Sequence, residues 1–292
     1  MPVHRIDTRQ FRVPGDSRVR LAKSHPGDTR PFEASKDARG VLEKHLRRLY
    51  GLSELLYAQN RWSLLLIFQA MDGAGKDSAI KKVFGGLDPK ATQVYAFRTP
   101  SAEELNHDFM WRCMKAMPER GRIGIFNRSY YEEVLVSRVH PTLLDAQHLP
   151  KKLVSGKIWQ ERFDDIRAIE RYLCRNGVVI RKFFLNVSKT EQRRRFLERL
   201  NDPEKKWKFS VNDVNERLRW KEYMKAYSEA IGQTSTTDAP WYILPADNKW
   251  FTRIAIAQVV ADTLEDLDLH VPELSQREHR ALKEAKRRLR AK

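Results

Sequence analysis

The chain has 292 residues, of which 41% are hydrophobic and 32% charged, a composition that supports a buried core in one large or two small domains and excludes extensive disorder. Its 55 Lys and Arg residues exceed its 38 Asp and Glu residues, so the net charge is +17 and polyanions are the expected partners. Since no apolar run is long enough to cross a bilayer and no signal-peptide pattern is present, we expect a soluble, cytoplasmic protein without membrane contacts.

Composition divides the chain into three predicted parts. Residues 1–40, with four prolines and three glycines, are expected to form an extended arm rather than a domain. Residues 41–270 are expected to form the main domain, and residues 271–292 a basic, solvated helical tail. Cys113 and Cys174 lack metal-ligand spacing, so we expect two reduced thiols.

Five apolar runs rich in branched or aromatic residues predict strands, with helical patterns between them. The predicted strands are residues 63–68, 93–97, 122–126, 178–187 and 241–245. Two helix starts, Ser101 with Glu104 and Ser188 with Glu191, fit the capping box. Strands that alternate with helices indicate an α/β fold of three layers, a mostly parallel sheet flanked by helices.

Residues 68–77, FQAMDGAGKD, stand between the first predicted strand and a helical pattern, the context of a P-loop. That motif, G-x-x-x-x-G-K-[ST], cradles phosphates with backbone amides, places Lys on the phosphates and gives Mg²⁺ a hydroxyl ligand. Gly75 and Lys76 fit the motif, whereas Ala70 replaces the first glycine and Asp77 replaces the hydroxyl. The residues expected to contact phosphate through this loop are Gly73, Ala74, Gly75, Lys76 and Asp77.

The metal ligand of this loop is the open question. An acidic side chain in the first helical turn is favoured by the helix dipole, which explains Asp77 without a metal. Asp72 is a carboxylate inside the loop and is therefore the candidate Mg²⁺ ligand, with a turn-stabilising role as the alternative.

A second polar stretch, FNRSYYEEV, follows the third predicted strand. Asn127 stands where an Asp of a neighbouring strand usually holds the metal in P-loop enzymes. Arg128 would lie at the carboxyl edge of a parallel sheet, where ligands bind, and is a candidate phosphate contact. Glu132 and Arg138 continue the polar pattern on the next helix.

Four stretches in the same order resemble the second family of polyphosphate kinases. They are MDGAGKD, AFRTPSAEELNHDFMWR, IFNRSYYEEVLVSRVHP and RFLERLNDPEKKWKFS, and the resemblance runs from residue 11 to residue 267. It implies a P-loop kinase-like, Mg²⁺-dependent enzyme with a helical lid at residues 193–215, which transfers phosphate reversibly between inorganic polyphosphate and nucleotides. FNRSYYEEV, with Asn127, resembles the third subclass, which implies that AMP is phosphorylated to ADP and ADP to ATP.

The resemblance also implies roles for individual residues. The catalytic set is Asp72, which directs the metal, Lys76, which binds phosphate, and Arg128, a phosphate clamp. Lys81 and Lys82 would line the polyphosphate channel. Nucleotide binding is assigned to Asn127, Arg128, Glu132, Arg138, Arg199 and Lys208, and the lid is matched by Arg199, Asp202, Lys205 and Lys208.

The sequence leaves two further points open. Asn127 replaces a carboxylate, so the second metal ligand is in doubt. The family implies dimers or tetramers, and the helix predicted over residues 158–174 could supply an interface or equally form core.

Two other functions compete with this one. An ATP-dependent small-molecule kinase would use the same loop, but it would keep a Ser or Thr after Lys76 and would not need so much basic surface. A nucleic-acid-binding protein would explain the charge of +17 but not the strand, P-loop and helix, and the sequence shows no zinc or helix-turn-helix signature. Nucleic acid is therefore not an expected partner.

Overall fold

A parallel five-stranded sheet lies at the centre of the structure, a computed structural model that describes residues 6–36, 38, 40–204 and 206–291. The strand order is β2-β3-β1-β4-β5, and every neighbouring pair is parallel. The strands are β1 (Ser63–Gln69), β2 (Thr92–Ala96), β3 (Ile123–Asn127), β4 (Val178–Asn186) and β5 (Trp241–Pro245). Each predicted strand is confirmed to within one residue at either end.

The central strand explains why the apolar runs are continuous rather than alternating. All seven residues of β1 are buried, because β3 and β4 flank it and helices cover both of its faces. The helices are α1 (Val41–Gln59), α2 (Lys76–Phe84), α3 (Ala102–Leu105), α4 (Trp111–Met114), α5 (Glu132–Val139), α6 (Ile158–Arg175), α7 (Lys189–Asn201), α8 (Val211–Leu218), α9 (Trp220–Thr234), α10 (Lys249–Glu265) and α11 (Gln276–Arg290). Short 3-10 helices occur at Thr8–Phe11, Leu21–Lys23, Pro141–Gln147, Lys151–Leu153 and Lys206–Lys208.

Two groups of helices complete the three layers. Helices α1, α2 and α10 pack against one another on one side of the sheet, and α5, α6 and α9 pack together on the other. Helix α10 is buried around most of its circumference, as expected for an apolar helix enclosed by other elements. Among the described residues, none of the helices combines the length and apolar character that spanning a bilayer requires.

The described residues of the predicted arm form no long regular element, yet they pack into the core. Phe11, Val13 and Phe32 are buried. The backbone N–H of Val13 donates to the carbonyl of Trp241 at 2.8 Å, and Arg12 forms an isolated antiparallel bridge with Tyr242. The arm therefore lies along the outer side of β5.

The two predicted capping boxes differ in the structure. Ser101 and Glu104 form both reciprocal hydrogen bonds of the motif. Ser188 accepts the backbone N–H of Glu191, but the Glu191 carboxylate turns instead to Arg194 and Arg195, so only half of this second box forms. Cys113 is buried, Cys174 is half-buried, and both are free thiols.

Candidate active site

The P-loop connects the end of β1 to the start of α2, and two of its glycines have left-handed backbone conformations. Gly73 has φ of +82° and Gly75 has φ of +102°. A Cβ atom at Gly73 would lie 2.9 Å from the ring of Phe196, so this position needs glycine for space as well as for conformation. The loop is thus packed tightly against α7, the helix that carries Phe196.

Lys76 is the first residue of α2 and turns its side chain back into the loop. It is buried, and Nζ donates a hydrogen bond to the carbonyl of Ala70 at 2.8 Å. Burial lowers the pKa of Lys76, and the nearby Asp72 carboxylate opposes that shift. The ammonium is therefore held in a restricted position beside the loop backbone.

Arg128 and Asp72 form an ion pair that joins the third strand to the P-loop. Arg128 follows β3 with a φ of +64°, and its backbone N–H donates to the carbonyl of Phe68 at the end of β1. Its Nη2 donates to Oδ1 of Asp72 at 2.9 Å. An arginine in this backbone region is uncommon, and such residues concentrate at functional sites.

The carboxylates beside Arg128 have opposite pKa shifts. Burial acts to raise the pKa of Asp72, but Lys76 and Arg128 outweigh it, so the pKa lies below its ordinary value. Burial raises the pKa of Glu132, although Arg128 and Lys76 favour its charged form. Glu132 lies 3.6 Å from the Arg128 guanidinium. The surroundings thus favour the anion at Asp72 and disfavour it at Glu132.

Asn127 and Asp77 meet across the same edge of the sheet. Nδ2 of Asn127 donates to Oδ1 of Asp77 at 2.5 Å, which places the end of β3 against the first turn of α2. In the usual P-loop arrangement the helix supplies a hydroxyl and the strand supplies an Asp. Here the carboxylate stands on the helix and the neutral side chain on the strand. Within the described part of the chain, three or more His, Cys, Asp and Glu side chains never converge into a metal-binding group.

The predicted lid approaches this cluster from α7 and α8. Arg199 lies 3.7 Å from the Asp213 carboxylate and stacks over the ring of Phe196. Arg199 also contributes to the lowered pKa of Asp72, and Asp72 adds to the effect of burial in raising the pKa of Asp213. Arg199 and Asp213 therefore face the P-loop, whereas Lys205 and the side chain of Lys208 lie outside the described residues.

Two P-loop contacts on α7 were missed by the sequence analysis. Arg195 is buried, and its guanidinium donates to four backbone carbonyls at 2.7–3.0 Å, those of Gly73, Ala74, Ala246 and Asp247. Gln192 donates to the carbonyl of Asp72 at 2.7 Å. Gln192, Arg195 and Arg199 recur at helical spacing after the Ser188 cap, a signal that could have shown which arginines of this basic run face inward.

Lys249 is a third residue that the sequence analysis missed. It is the first residue of α10, and its Cε would lie 3.9 Å from a Cβ built on Gly75. Partial burial and the neighbouring Arg195 lower its pKa. The only sequence feature that could have identified Lys249 is its place shortly after β5. It therefore follows the carboxyl end of a parallel strand, as the P-loop does.

Three predicted residues lie away from this cluster. Lys81 and Lys82 are exposed in the last turn of α2, about 9 Å along the helix axis from Lys76. Arg138 forms an ion pair with Glu229 of α9. Their predicted roles in polyphosphate and nucleotide binding stay predictions.

Known proteins match this chain over most of its length. A family model described as "Polyphosphate kinase 2 (PPK2)" matches residues 33–272. An "ADP-polyphosphate phosphotransferase" of Rhodopseudomonas palustris is 47% identical over 98% of this chain and 99% of the relative. An "AMP/ADP-polyphosphate phosphotransferase" of Meiothermus ruber is 42% identical over 91% and 96%. The crystal structure of polyphosphate kinase 2 from Arthrobacter aurescens TC1 is similar with a TM-score of 0.86 and 38% identity, covering 97% of this chain and 98% of that one.

Proposed function

This chain belongs to the polyphosphate kinase 2 family, and from that membership we infer that it transfers the terminal phosphoryl group of inorganic polyphosphate to nucleotides. The observation that carries the inference is the match along nearly the whole chain to a relative named for ADP and polyphosphate. Neither the ATP-dependent kinase nor the nucleic-acid-binding alternative is favoured, since the named relatives are polyphosphate phosphotransferases.

We propose that both AMP and ADP are acceptors, giving ADP and ATP, and that the transfer is reversible. The relative from Meiothermus ruber is named for both nucleotides. The FNRSYYEEV stretch, with Asn127 and Glu132, supports the same assignment through its resemblance to the third subclass.

The chemistry needs charge neutralisation and alignment rather than a general base. A phosphate acceptor has a second pKa of about 6 and is largely ionised at neutral pH. Lys76 is proposed to hold the terminal phosphoryl group of the donor, and Arg128 to neutralise charge on the transferred group. An arginine in this role contributes about 10³ to 10⁵ in rate, or ~4 to 7 kcal/mol. The ion pair with Asp72 would orient the Arg128 guanidinium before substrate binds.

The residues present fit a Mg²⁺ ion. Mg²⁺ is typically bound by one or two carboxylates together with substrate phosphates and water. Asp72 and Asp77 are the proposed carboxylates, with the Asn127 side chain beside Asp77. The ion would neutralise phosphate charge when bound, and the chain's part is to keep these oxygen ligands next to Lys76.

The remaining cations extend the proposed anion path away from the loop. Lys81 and Lys82 on α2 and Lys249 on α10 are proposed to contact polyphosphate, and Arg199 with Lys208 to contact the nucleotide from the lid. Closure of the lid over the P-loop would exclude water that could otherwise hydrolyse the donor. Arg195 fixes the base of the lid, since its guanidinium already bridges the P-loop and the segment after β5.

A cytoplasmic homo-oligomer, dimer or tetramer, is proposed on family resemblance. Helix α6 buries Phe163 and Ile166 in the core, while Tyr172 is 60% exposed. Tyr172 is therefore the candidate contact residue if α6 contributes to an interface.

The test is nucleotide analysis after mixing the protein with long-chain polyphosphate, Mg²⁺ and either AMP or ADP, with reactions lacking polyphosphate as controls. New ADP or ATP is expected only when polyphosphate is present. Lys76→Ala and Arg128→Ala should lose turnover with the fold retained, whereas Lys44→Ala and Arg47→Ala, at exposed positions of α1, should not. Normal turnover in the Lys76 or Arg128 variant would overturn the mechanism, and absence of product in every reaction would overturn the function.

A further inference from the structure

The C-terminal helix α11 has no side chain in the core. Its 15 residues are all at least partly exposed, including Leu282 at 56% and Leu289 at 89%. The helix begins with a complete capping box between Ser275 and Glu278. Over the described residues, hydrogen bonds and ion pairs of α11 join only its own residues and its two capping residues, Ser275 and Ala291. The fold of the main domain therefore gives no reason for the composition of this helix.

Helix α11 is strongly basic, and its basic and apolar residues lie on different sides. From Gln276 to Arg290 there are seven Lys and Arg residues and two Glu residues. Because successive residues are about 100° apart, one narrow side carries Ala281, Leu282, Ala285 and Leu289. The basic residues occupy the wider remainder: Arg277, Arg280, Lys283, Lys286, Arg287, Arg288 and Arg290. Glu284 pairs with Arg287 and Arg288, and the other five make no ion pair with described residues.

The segment that leads into α11 leaves the rest of the chain far from the P-loop. The match to the family ends at residue 272, before α11 begins. Helix α10 starts with Lys249 beside the P-loop and runs 17 residues, about 25 Å, to Glu265. At that far end Arg48 pairs with Glu265, and Gln59 contacts Asp268. The chain thus leaves the main domain for α11 at the sheet edge opposite the proposed phosphate site.

We propose that α11 is a second binding site for inorganic polyphosphate, which tethers long chains while their terminus occupies the P-loop. The proposal rests on the proposed function, because it takes the donor polyanion as the occupant. Charge complementarity supports this occupant: five unpaired cations lie along about 20 Å of helix, suited to successive phosphates of one extended polyanion. A lipid surface fits less well, since interfacial helices bury a broad apolar face with aromatic residues, and α11 has two leucines and no aromatic residue.

The distance between the two sites makes the effect depend on chain length. A polyphosphate long enough to reach from α11 to the P-loop gains the advantage of two linked contacts, because binding at one site raises its effective concentration at the other. A short chain cannot occupy both sites. The tail should therefore lower KM for long chains and leave both kcat and the KM for short chains unchanged.

The test compares two variants of the full chain that keep the helix. The first replaces five cations with the helix-forming Gln: Arg277→Gln, Arg280→Gln, Lys283→Gln, Lys286→Gln and Arg290→Gln. The matched control, Leu282→Gln with Leu289→Gln, keeps every charge and removes the apolar side. KM is measured with long-chain and short-chain polyphosphate at several salt concentrations. Binding of labelled long-chain polyphosphate is measured separately in the absence of nucleotide.

The first variant should raise KM for long chains about tenfold, leave KM for short chains unchanged and reduce the salt dependence of long-chain binding. The control should behave like the unchanged protein. An unchanged long-chain KM in the first variant, or an equal rise for both chain lengths, would overturn the proposal. Two other results would also overturn it, provided that KM is unaffected in both variants. One is binding of the protein to phosphatidylserine vesicles that only the leucine variant loses, and the other is an oligomeric state that only the leucine variant loses. The binding measurement separates the two hypotheses, because it still tests α11 if the protein shows no turnover with polyphosphate.

Discussion

The Asn127 side chain donates a hydrogen bond to the Asp77 carboxylate at 2.5 Å, so the strand that usually carries the acidic metal ligand here supports an acid on the helix. The number of carboxylates at this edge of the sheet is therefore preserved, although their positions are exchanged. If this pair serves the metal, moving the acid from position 77 to position 127 should reduce activity less than removing the acid from position 77 alone.

Asp77→Ser is expected to raise the Mg²⁺ concentration for half-maximal activity about tenfold, a change of ~1.4 kcal/mol. The variant has a hydroxyl at position 77, and no carboxylate remains in the pair. Adding Asn127→Asp restores the usual hydroxyl and acid and should recover most of the loss. The measurement is activity against Mg²⁺ concentration, and an unaltered curve for Asp77→Ser alone would remove Asp77 from the metal site.

Near pH 7, the carboxyl group of Asp72 should stabilise the fold, and that of Glu132 should destabilise it. The lowered folded-state pKa of Asp72 means that its ionised form stabilises the fold above its unfolded pKa, and this contribution is lost as pH falls through the folded value. The raised folded-state pKa of Glu132 means that its favourable contribution is complete below the unfolded pKa and is lost as pH rises through the folded value.

Near pH 7, Asp72→Asn should therefore unfold at lower denaturant concentration than the unchanged protein, and Glu132→Gln at higher concentration. Both differences should disappear in acid, where the carboxyl groups are protonated. Denaturant titrations across this pH range provide the measurement. Two shifts of the same sign at pH 7 would contradict the electrostatic assignment of the pair.

Arg195→Met should destabilise the protein by at least about 3 kcal/mol and also impair turnover. The substitution leaves four backbone carbonyls of the P-loop and the segment after β5 without their buried charged donor, and hydrogen bonds to charged groups are worth ~1.5 to 3 kcal/mol each. Arg193→Met, on the exposed side of the same helix, is the control for stability. Equal denaturation midpoints for the two variants would show that Arg195 does not hold the loop.

Replacing one residue of the buried pair Lys182–Glu170 should reduce the stability of the fold far more than replacing both. Lys182 Nζ donates to Glu170 at 2.5 Å, and Tyr130 and Tyr131 both donate to the same carboxylate. Lys182→Met leaves a buried charge without its counter-ion and should cost ~3 to 5 kcal/mol. Adding Glu170→Gln should recover much of that stability, as judged by denaturant unfolding. A double variant no more stable than the single one would refute coupling between the two charges.

The sheet was predictable because its strands are buried on both faces, so apolar runs such as residues 63–68 mark them directly. The strand, loop and helix around the predicted P-loop could be predicted because Gly75 and Lys76 follow such a strand. The pairing of Asn127 with Asp77 was not predictable, since the two are 50 residues apart and meet only through the alignment of β1 beside β3. A motif shows which side chains occur, but the register of the sheet decides which of them touch.

Arginines illustrate the same limit. The run after Ser188 contains several cations that composition cannot distinguish, yet Arg195 is buried under the P-loop while Arg194 pairs with Glu191 and Glu198 on the surface. Arg138 was grouped with Arg128 by sequence, whereas in the structure it pairs with Glu229 of α9. Helical phase and the partner helix, rather than residue type, determine these outcomes.

The N-terminal arm covers part of the exposed edge of strand β5. Among the described strands, only β4 neighbours β5. The other side of β5 would otherwise present free backbone groups, the feature through which sheets of separate molecules join and aggregate. Val13 and Arg12 pair with part of that edge. Shortening the protein from its N-terminus would therefore endanger solubility before it reached any residue of the proposed active site. An immobilisation tag would disturb this protection least at the opposite terminus.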